Sequence, residues 1–247
     1  MWRDGGTIDI NGLFTAGSVG GDFPNTVQAT SGAVNGNATV VIIDPLLIDF
    51  GAAAPNGIMA GTEITCITAG LISADILISP GSTVTGFPPC TQTGTQNLAN
   101  AIAAQAQLDL TAAYDSLFAM PCPPGNAIVA NLGGTTKVAG VYCTASGIGV
   151  TGVLTLDGGG DANAKFVFQA GTSLTTAGDV VFINGAQAKN VYWVVGSSAT
   201  LGTASQFQGN IVALTSITLV DGATLVGRAL ARNGAVTLGS GNTITLP

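Results

Sequence analysis

The sequence predicts a mainly β protein in which short parallel strands coil into a solenoid, with one long α-helix packed alongside. Two observations lead to this prediction. Short apolar triplets centred on threonine recur through the second half of the chain, and a single segment has the apolar spacing of an amphipathic helix. The 247 residues include 36 Gly and 30 Thr, a composition that suits short strands and tight corners.

The threonine triplets recur at a nearly constant distance. Steps of about 20 residues separate Thr155 from Thr175, Thr200 from Thr218, Thr218 from Thr237 and Thr224 from Thr245. A period of about 20 residues is typical of a solenoid, in which each turn of chain stacks on the next. Turn pairs such as Asn184-Gly185 would also suit the hairpins of a β-sandwich, but the repeat favours the solenoid.

The long helix is predicted over residues 95–120. Its apolar positions step by three and four residues, which places them on one stripe: Ala99, Ala103, Ala106, Leu110, Ala113, Leu117 and Met120. Ile102 and Tyr114 are expected to widen the stripe, and Thr93 has the spacing of a capping residue relative to Gln96. At 1.5 Å per residue this helix would be about 39 Å long, so it must lie along an equally long flank.

Four cysteines, Cys66, Cys90, Cys122 and Cys143, predict two disulfides and a secreted, extracellular protein, since disulfides persist in oxidising compartments. Cys90 and Cys122 bracket the helix and would lie about 39 Å apart, whereas a disulfide needs Cα atoms within about 7 Å. This pair is therefore excluded, and among the remaining pairings we favour Cys66–Cys90 and Cys122–Cys143.

Composition and charge argue against several functional classes. The net charge is −7, and only 8% of residues are charged, so the basic footprint of a nucleic-acid-binding protein is absent. No apolar run reaches the length of a membrane span, and no secretory h-region follows Met1. The chain contains no His, which excludes Ser-His-Asp chemistry.

Residues 157–161 are interpreted as a Gly-rich turn, because the alternating ligands of a calcium loop are missing. We expect neither a metal nor a cofactor, and no catalytic activity.

Several stretches resemble the secreted ice-binding (antifreeze) proteins of the DUF3494 type. They include FGAAAPNGIMAGTEIT (residues 50–65), ISPGSTVTGFPP (78–89), AIAAQAQLDLTAAY (101–114), LTLDGGGDANAKFVFQAGTSLTTA (154–177), NGAQAKNVYWVVGSSATLGT (184–203) and FQGNIVALTSITLVDGATLVGRALARNGAVTL (207–238). The resemblance covers residues 50–247, which we expect to form the ice-binding domain. Residues 1–49 show no recognisable counterpart and are expected to form an N-terminal extension, such as a cap.

The resemblance implies a discontinuous, right-handed, triangular β-solenoid with the long helix beside it. It also implies a non-catalytic function: adsorption to ice through a flat face rich in Thr, Ser, Ala and Gly, with thermal hysteresis and inhibition of ice recrystallisation. Parallel strands stack about 4.8 Å apart, close to a repeat distance of ice. The expected partner is thus the ice surface or its ordered water, bound by a monomer.

Some members of this family carry a loose Thr-(Ala/Gly)-x-(Thr/Asn) step on the ice-binding face. Partial matches predict the following ice-binding residues: Ser82, Thr83, Thr144, Ser146, Thr176, Thr203, Ser205, Thr224, Ser240 and Thr243. The fourth positions of three matches, at 206, 224 and 243, are almost equally spaced, as expected for stacked coils. Thr203, Thr224 and Thr243 are expected on one exposed ladder. The alternative is that these steps are ordinary solenoid corners, where Gly, Ser and Thr belong anyway.

The main alternative function is a secreted β-solenoid adhesin or polysaccharide-binding protein. Such a surface presents aromatic side chains over a groove. Aromatic residues are only 6% of this chain, and Phe166, Phe168 and Trp193 lie in strand-like runs that suit a core.

Overall fold

The computed structural model describes residues 6–16, 21–42, 48–128 and 131–247. The chain divides into two compact units, Met1–Leu47 and Ile48–Pro247. In the first unit, β1 (Gly6–Ile8) pairs antiparallel with β2 (Phe14–Ala16), and β3 (Gly21–Ser31) pairs antiparallel with β4 (Val34–Ile42).

The second unit contains the remaining strands of the described chain. They are β5 (Asn56–Ala60), β6 (Glu63–Thr68), β7 (Leu71–Ser73), β8 (Asp75–Ile78), β9 (Thr83–Thr85), β10 (Thr91–Gln92), β11 (Gln96–Leu98), β12 (Thr136–Val138), β13 (Gly140–Thr144), β14 (Ile148–Thr151), β15 (Leu154–Asp157), β16 (Phe166–Ala170), β17 (Leu174–Ala177), β18 (Val180–Ile183), β19 (Val191–Val195), β20 (Ala199–Leu201), β21 (Gln206–Ala213), β22 (Ile217–Leu219), β23 (Thr224–Ala231), β24 (Val236–Ser240) and β25 (Thr243–Thr245). The helix α1 spans Ala101–Phe118, and short 3₁₀ turns lie at Gly51–Ala53, Pro124–Asn126 and Ala188–Asn190.

Three faces of parallel strands enclose the core of this unit. The threonine face consists of β14, β17, β20, β22, β24, β6 and β9, in that order. The helix-covered face consists of β13, β16, β19, the C-terminal halves of β21 and β23, then β5, β8 and β11. The mixed face consists of the three-stranded sheet β12-β15-β18 and a separate row formed by the N-terminal halves of β21 and β23 with β25, β7 and β10. This architecture confirms the predicted β-solenoid.

The stacking order differs from the chain order, as expected for a discontinuous solenoid. The N-terminal strands stack on the C-terminal coil, because β6 pairs with β24, β7 with β25 and β5 with β23. The helix then connects these coils to β12 and β13, which lie at the outer ends of their sheets at the opposite end of the stack. The solenoid is therefore built from two segments of chain that meet at one internal junction.

The coils are less uniform in length than the threonine spacing predicts. The first two coils of the threonine face are longer than the next two, as the in-register positions show: Ile148, Leu174, Ala199, Ile217 and Val236. The longer coils carry extra residues between β15 and β16 and between β18 and β19. Two of the threonine spacings are not coil repeats. Thr155 and Thr175 lie on different sheets, and Thr224 pairs with Thr243 and not with Thr245.

Large side chains fill the interior in stacked columns. Trp193 is fully buried between Phe168, at a ring-centroid distance of 4.3 Å, and Phe207, at 4.8 Å. Tyr142 extends the same stack at 5.3 Å from Phe168. The indole Nε1 of Trp193 donates to the carbonyl of Gln208 at 3.0 Å, which satisfies the polar end of the ring inside the core.

The helix begins later than predicted. Gln96–Leu98 form β11 and pair with β8, so the predicted start at residue 95 was wrong, as was the cap at Thr93. The N-cap is Asn100, whose side chain accepts a hydrogen bond from the Ala103 amide at 2.9 Å. At Gln96–Leu98 the backbone hydrogen bonds to β8 stabilise a strand more than helix propensity stabilises a helix.

One side of the helix is buried, as the apolar stripe predicts for Ala103 to Leu117; Ala99, which is exposed, and Met120 lie outside the helix. Its 18 residues span about 27 Å. The buried side chains are Ala103, Ala106, Leu110, Ala113, Tyr114 and Leu117. Ile102 is 59% exposed and lies outside the stripe, contrary to expectation. No helix among the described residues has both the length and the apolar character needed to cross a membrane.

Polar contacts attach the C-terminal part of the helix to the solenoid. Near the C-terminus, Gln169 donates its Nε2 to the carbonyls of Leu117 at 2.8 Å and Met120 at 2.9 Å, which satisfies carbonyls that a helix end leaves free. Arg232 forms an ion pair with Asp115 at 3.3 Å and lies 5.5 Å from the ring centroid of Tyr114. These contacts join the helix to strands that are distant in sequence.

Gln107 lies at the junction between the N-terminal and C-terminal coils. Its Nε2 is within 3.1 Å of the carbonyl oxygens of Ala60, Ser79 and Arg232, which belong to three successive coils. Its Oε1 is buried and has no hydrogen-bond partner among the described residues. The side-chain amide of Gln107 thus bonds to both of the chain segments that meet at this junction.

We expect Gln107→Leu to lower the free energy of unfolding by about 1–3 kcal/mol, because the carbonyls at this junction would lose the partly buried amide donor that they share. The matched control is Gln105→Leu, an exposed position whose side chain bonds only Asp109 one turn along the same helix; such a pair contributes about 0.2–0.5 kcal/mol. Denaturant unfolding monitored by circular dichroism measures both variants. Equal losses would contradict a special role for Gln107.

Two disulfides are present in the predicted pairing. Cys66 and Cys90 have a Cα–Cα distance of 6.3 Å, and Cys122 and Cys143 one of 6.0 Å. The first ties β6 to the corner before β10. The second ties the segment after the helix to β13, at the far end of the stack. Each therefore restrains one of the two chain segments that build the solenoid.

Candidate functional site

The predicted ice-binding residues do not form one surface. Thr176 and Ser205 are only 2% and 3% exposed, and the Thr176 hydroxyl donates to that of Ser205 at 3.3 Å. These two were wrong as surface residues, because Thr176 points inward from β17 and Ser205, just before β21, is buried against it. The other predicted residues lie at separate places. Thr203 is exposed just before Ser205, and Ser240 is the last residue of β24. The hydroxyls of Thr144 and Ser146 form a hydrogen bond of 3.0 Å in the corner before β14.

Thr224 and Thr243 lie side by side on the mixed face. They are in register with Gln206, so the almost equal spacing of these three positions does mark stacked coils. Thr203 precedes Gln206 on the chain and does not belong to this row, contrary to expectation. Beyond Thr243 the row continues with Leu71 and Thr91. Thr83 points outward on the threonine face, and the exposed Ser82 precedes it. Thr176 and Ser240 belong to strands of the same sheet, β17 and β24, but Thr176 points inward.

A different row of threonines runs along the threonine face without a break. Six threonines occupy the same register position on six neighbouring strands, and Gly149 precedes them: Thr175, Thr200, Thr218, Thr237, Thr65 and Thr85. The residues before and after each threonine point inward; Ile217 and Leu219, for example, are completely buried. Alternation along a strand therefore directs every threonine outward.

The neighbouring outward positions of the threonine face carry mostly small side chains, with Glu63, Ile67 and Val220 as the larger ones. On one side of the row lie Ser173, Ser198, Ser216, Ala235, Glu63 and Thr83, and on the other Thr151, Ala177, Gly202, Val220, Gly239 and Ile67. The hydroxyl oxygens of Ser198 and Ser216 accept hydrogen bonds from the next coil, at the amides of Ser216 and Ala235. These bonds hold the two serine side chains against the neighbouring coil. Glu63 is the one ionisable side chain among these positions.

The mixed face is less regular. Its three-stranded sheet ends at β18, and the row from β21 onward belongs to another sheet. Its outward residues include Gln206 and Asp157 together with large apolar side chains, among them Val138 (61% exposed), Ile183 (42%) and Val226 (41%). The helix-covered face offers no comparable surface, because its strands are largely buried on both sides.

The carboxylates near the corners of the mixed face have structural partners. Asp157 accepts hydrogen bonds from the Gly159 amide and the Asn184 side chain, both at 2.8 Å, and these bonds lower the pKa of its carboxyl. Asp179 accepts from the Gln206 amide at 2.7 Å. Across the described ranges, no group of three or more His, Cys, Asp or Glu residues is placed to hold a metal ion. These acids close turns, in agreement with the interpretation of residues 157–161.

The threonine row is only partly visible in the sequence. Thr200, Thr218 and Thr237 stand in repeated triplets with coil spacing, but a triplet indicates a rung of the solenoid and not the face to which it belongs. Thr65 and Thr85 are also one coil apart, at a separation of 20 residues. The sequence does not show that they continue this row, because the link is the pairing of Thr237 with Thr65 across the junction.

Known proteins match the chain in both sequence and structure. The family described as Ice-binding-like matches residues 58–245. The ice-binding protein of Nostoc sp. (strain HG1) is 47% identical over 191 residues, covering 76% of this chain and 70% of that protein. Ice-binding protein 1 of Shewanella frigidimarina (strain NCIMB 400) is 31% identical over 264 residues, covering 94% of this chain and 29% of that protein. A solved ice binding protein from an Antarctic biological consortium is 44% identical, with a TM-score of 0.79, and the match covers 81% of this chain and 91% of that chain.

The Shewanella match also bears on the N-terminal residues. It covers 94% of this chain, which is more than residues 50–247 alone could supply. The aligned range therefore extends into residues 1–49.

The family match rests on most of the folded solenoid. Residues 58–245 make up well over half of the chain, and they include every strand of the threonine face. The resemblance found in the sequence is thereby confirmed: this chain belongs to the Ice-binding-like family.

Proposed function

We propose that this protein binds ice through its threonine face, and that this adsorption produces thermal hysteresis and inhibits ice recrystallisation. The observation that carries the proposal is the row of six in-register threonines on neighbouring strands. Strands stack about 4.8 Å apart, so the row presents hydroxyls at one regular spacing. Each hydroxyl anchors a water molecule, and each methyl group keeps the surface between the hydroxyls partly dry.

The rigidity of the face supports the proposal. Backbone bonds between coils, two disulfides and the hydroxyl bonds of Ser198 and Ser216 hold the outward positions before any ligand arrives. A preorganised surface loses little conformational entropy on binding. The proposed partner is therefore the ice surface with its ordered water, and the function needs no catalytic group.

The proposal extends to location and assembly. Two disulfides persist best in an oxidising compartment, so we infer a secreted protein. Since the threonine face is complete within one chain, we infer that a monomer suffices for activity.

The alternative, an adhesin or polysaccharide-binding protein, finds no support. The aromatic residues that would form a sugar-stacking platform, such as Phe166, Phe168 and Trp193, are completely buried. The relatives are named as ice-binding proteins.

Observation of a single ice crystal in a solution of the protein tests the proposed function. We expect faceting of the crystal and arrest of its growth below the melting point. A crystal that grows as a smooth disc at every protein concentration would contradict the proposal.

We expect deletion of residues 1–45 to leave ice binding largely intact, because the threonine face lies entirely within the second compact unit. Thermal hysteresis at equal molar concentration, together with thermal unfolding, measures the effect. A truncated protein that keeps its circular dichroism spectrum but loses ice binding would contradict this expectation.

A further inference from the structure

Glu63 differs from every other carboxylate that the structure describes in the second unit. The eight aspartates there each accept a hydrogen bond or form an ion pair: Asp49, Asp75, Asp109, Asp115, Asp157, Asp161, Asp179 and Asp221. Glu63 makes no such contact within the described residues. It is also the only glutamate in the chain. This carboxylate is thus the one without a structural partner.

The position of Glu63 places this carboxylate on the threonine face. It is exposed as the first residue of β6 and lies in register beside Thr83 of β9. Thr65 follows it two residues later on the same strand and outward side, and the Thr85 hydroxyl donates to that of Thr65 at 3.2 Å. The next strand on the other side is β24, where Ala235 precedes the paired residue Val236. Glu63 therefore stands inside the face, between its first five strands and its last.

An ionised carboxylate binds water more strongly than a hydroxyl or a methyl group does. Its hydration shell is organised around the charge and not around the spacing of the strands. Water next to Thr65 and Thr83 is therefore drawn away from positions that continue the threonine row. The five strands β14, β17, β20, β22 and β24 carry no charged outward side chain.

We propose that Glu63 limits the area of the threonine face that engages ice, so that the two strands β6 and β9 contribute little although their threonines continue the row. This inference rests on the proposed function of the face. Its direct consequence is that a neutral residue at position 63 increases activity. Thr is the best replacement, because it would place four threonines in a two-by-two array with Thr65, Thr83 and Thr85.

We expect Glu63→Thr to raise thermal hysteresis at equal molar concentration by up to about 1.4-fold, the ratio of seven strands to five. Glu63→Gln, which removes the charge at nearly constant shape, is expected to give a smaller rise. Glu63→Lys, which keeps a charge, is expected to give none. The control Asp161→Asn removes one unit of charge in a loop outside the face and keeps the oxygen that accepts from the Asn163 amide; it should leave activity unchanged.

The same measurement on Thr218→Tyr, a substitution in the centre of the threonine row, separates this inference from the proposed function. If that variant loses activity while Glu63→Thr and Glu63→Gln match the wild type, the face is correct and the limiting role of Glu63 is refuted. Loss of activity in Glu63→Thr, or a rise in Glu63→Lys, also overturns it. If Thr218→Tyr retains full activity, the proposed face itself fails. Equal unfolding temperatures across the series establish that the comparison concerns the surface.

Discussion

Thr218→Tyr is expected to abolish most thermal hysteresis while leaving the protein folded. Thr218 lies in the third of the six threonine positions, between Thr200 and Thr237. A tyrosine ring there would stand above its neighbours and hold a flat ice surface away from them. Because the position faces outward, the substitution should change the free energy of unfolding by within about 0.5 kcal/mol.

The matched control is Thr224→Tyr on the mixed face. Thr224 is also a partly exposed threonine with in-register neighbours, Gln206 and Thr243. We expect this variant to retain activity, although the motif in the sequence placed it in the site. Thermal hysteresis and thermal unfolding should be measured on both variants. Activity retained by Thr218→Tyr and lost by Thr224→Tyr would move the site to the mixed face.

Trp193→Ala is expected to lower the free energy of unfolding by about 3–5 kcal/mol, the usual cost of replacing a large buried aromatic residue by alanine. The indole is fully buried within the ring stack formed with Phe168 and Phe207. Its removal leaves a cavity in the column that supports several coils at once. The carbonyl of Gln208 also loses its donor. Guanidinium unfolding followed by circular dichroism measures the loss.

Two further variants refine the interpretation of that result. Trp193→Phe keeps a stacked ring but not the N–H donor, so it should cost less than Trp193→Ala. Thr155→Ala, on the partly exposed side of β15, should stay within about 0.5 kcal/mol. A loss below about 1 kcal/mol for Trp193→Ala would be inconsistent with the tight packing of this column.

The elements that the sequence predicted well are those whose signals lie within a short stretch of chain. The stripe from Ala103 to Leu117 identified the buried side of the helix, since residues three and four apart share a side. The start of the helix was less predictable, because the backbone of β8 recruits Gln96–Leu98 into a strand. The length of the helix excluded a Cys90–Cys122 bond, and the shorter helix still does; the favoured pairing among those that remained is the one present.

The candidate site was predicted only in part, for a related reason. Corner motifs led to Thr176 and Ser205, but Thr176 points inward from β17 and Ser205 is buried against its hydroxyl. The repeated triplets contained Thr200, Thr218 and Thr237, yet a triplet does not reveal which sheet it joins. Thr155 and Thr224 stand in similar triplets and lie on the mixed face.

By itself, the sequence determined the class of this protein: a β-solenoid of short threonine-centred strands, with a one-sided helix and two disulfides, similar to ice-binding proteins. Only the tertiary structure decided which threonines share a face. The row joins Thr237 to Thr65, which lie near opposite ends of the solenoid sequence, through parallel pairing of β24 with β6. Backbone hydrogen bonds set that register, and every residue except proline can make them, so the junction leaves no local pattern in the sequence.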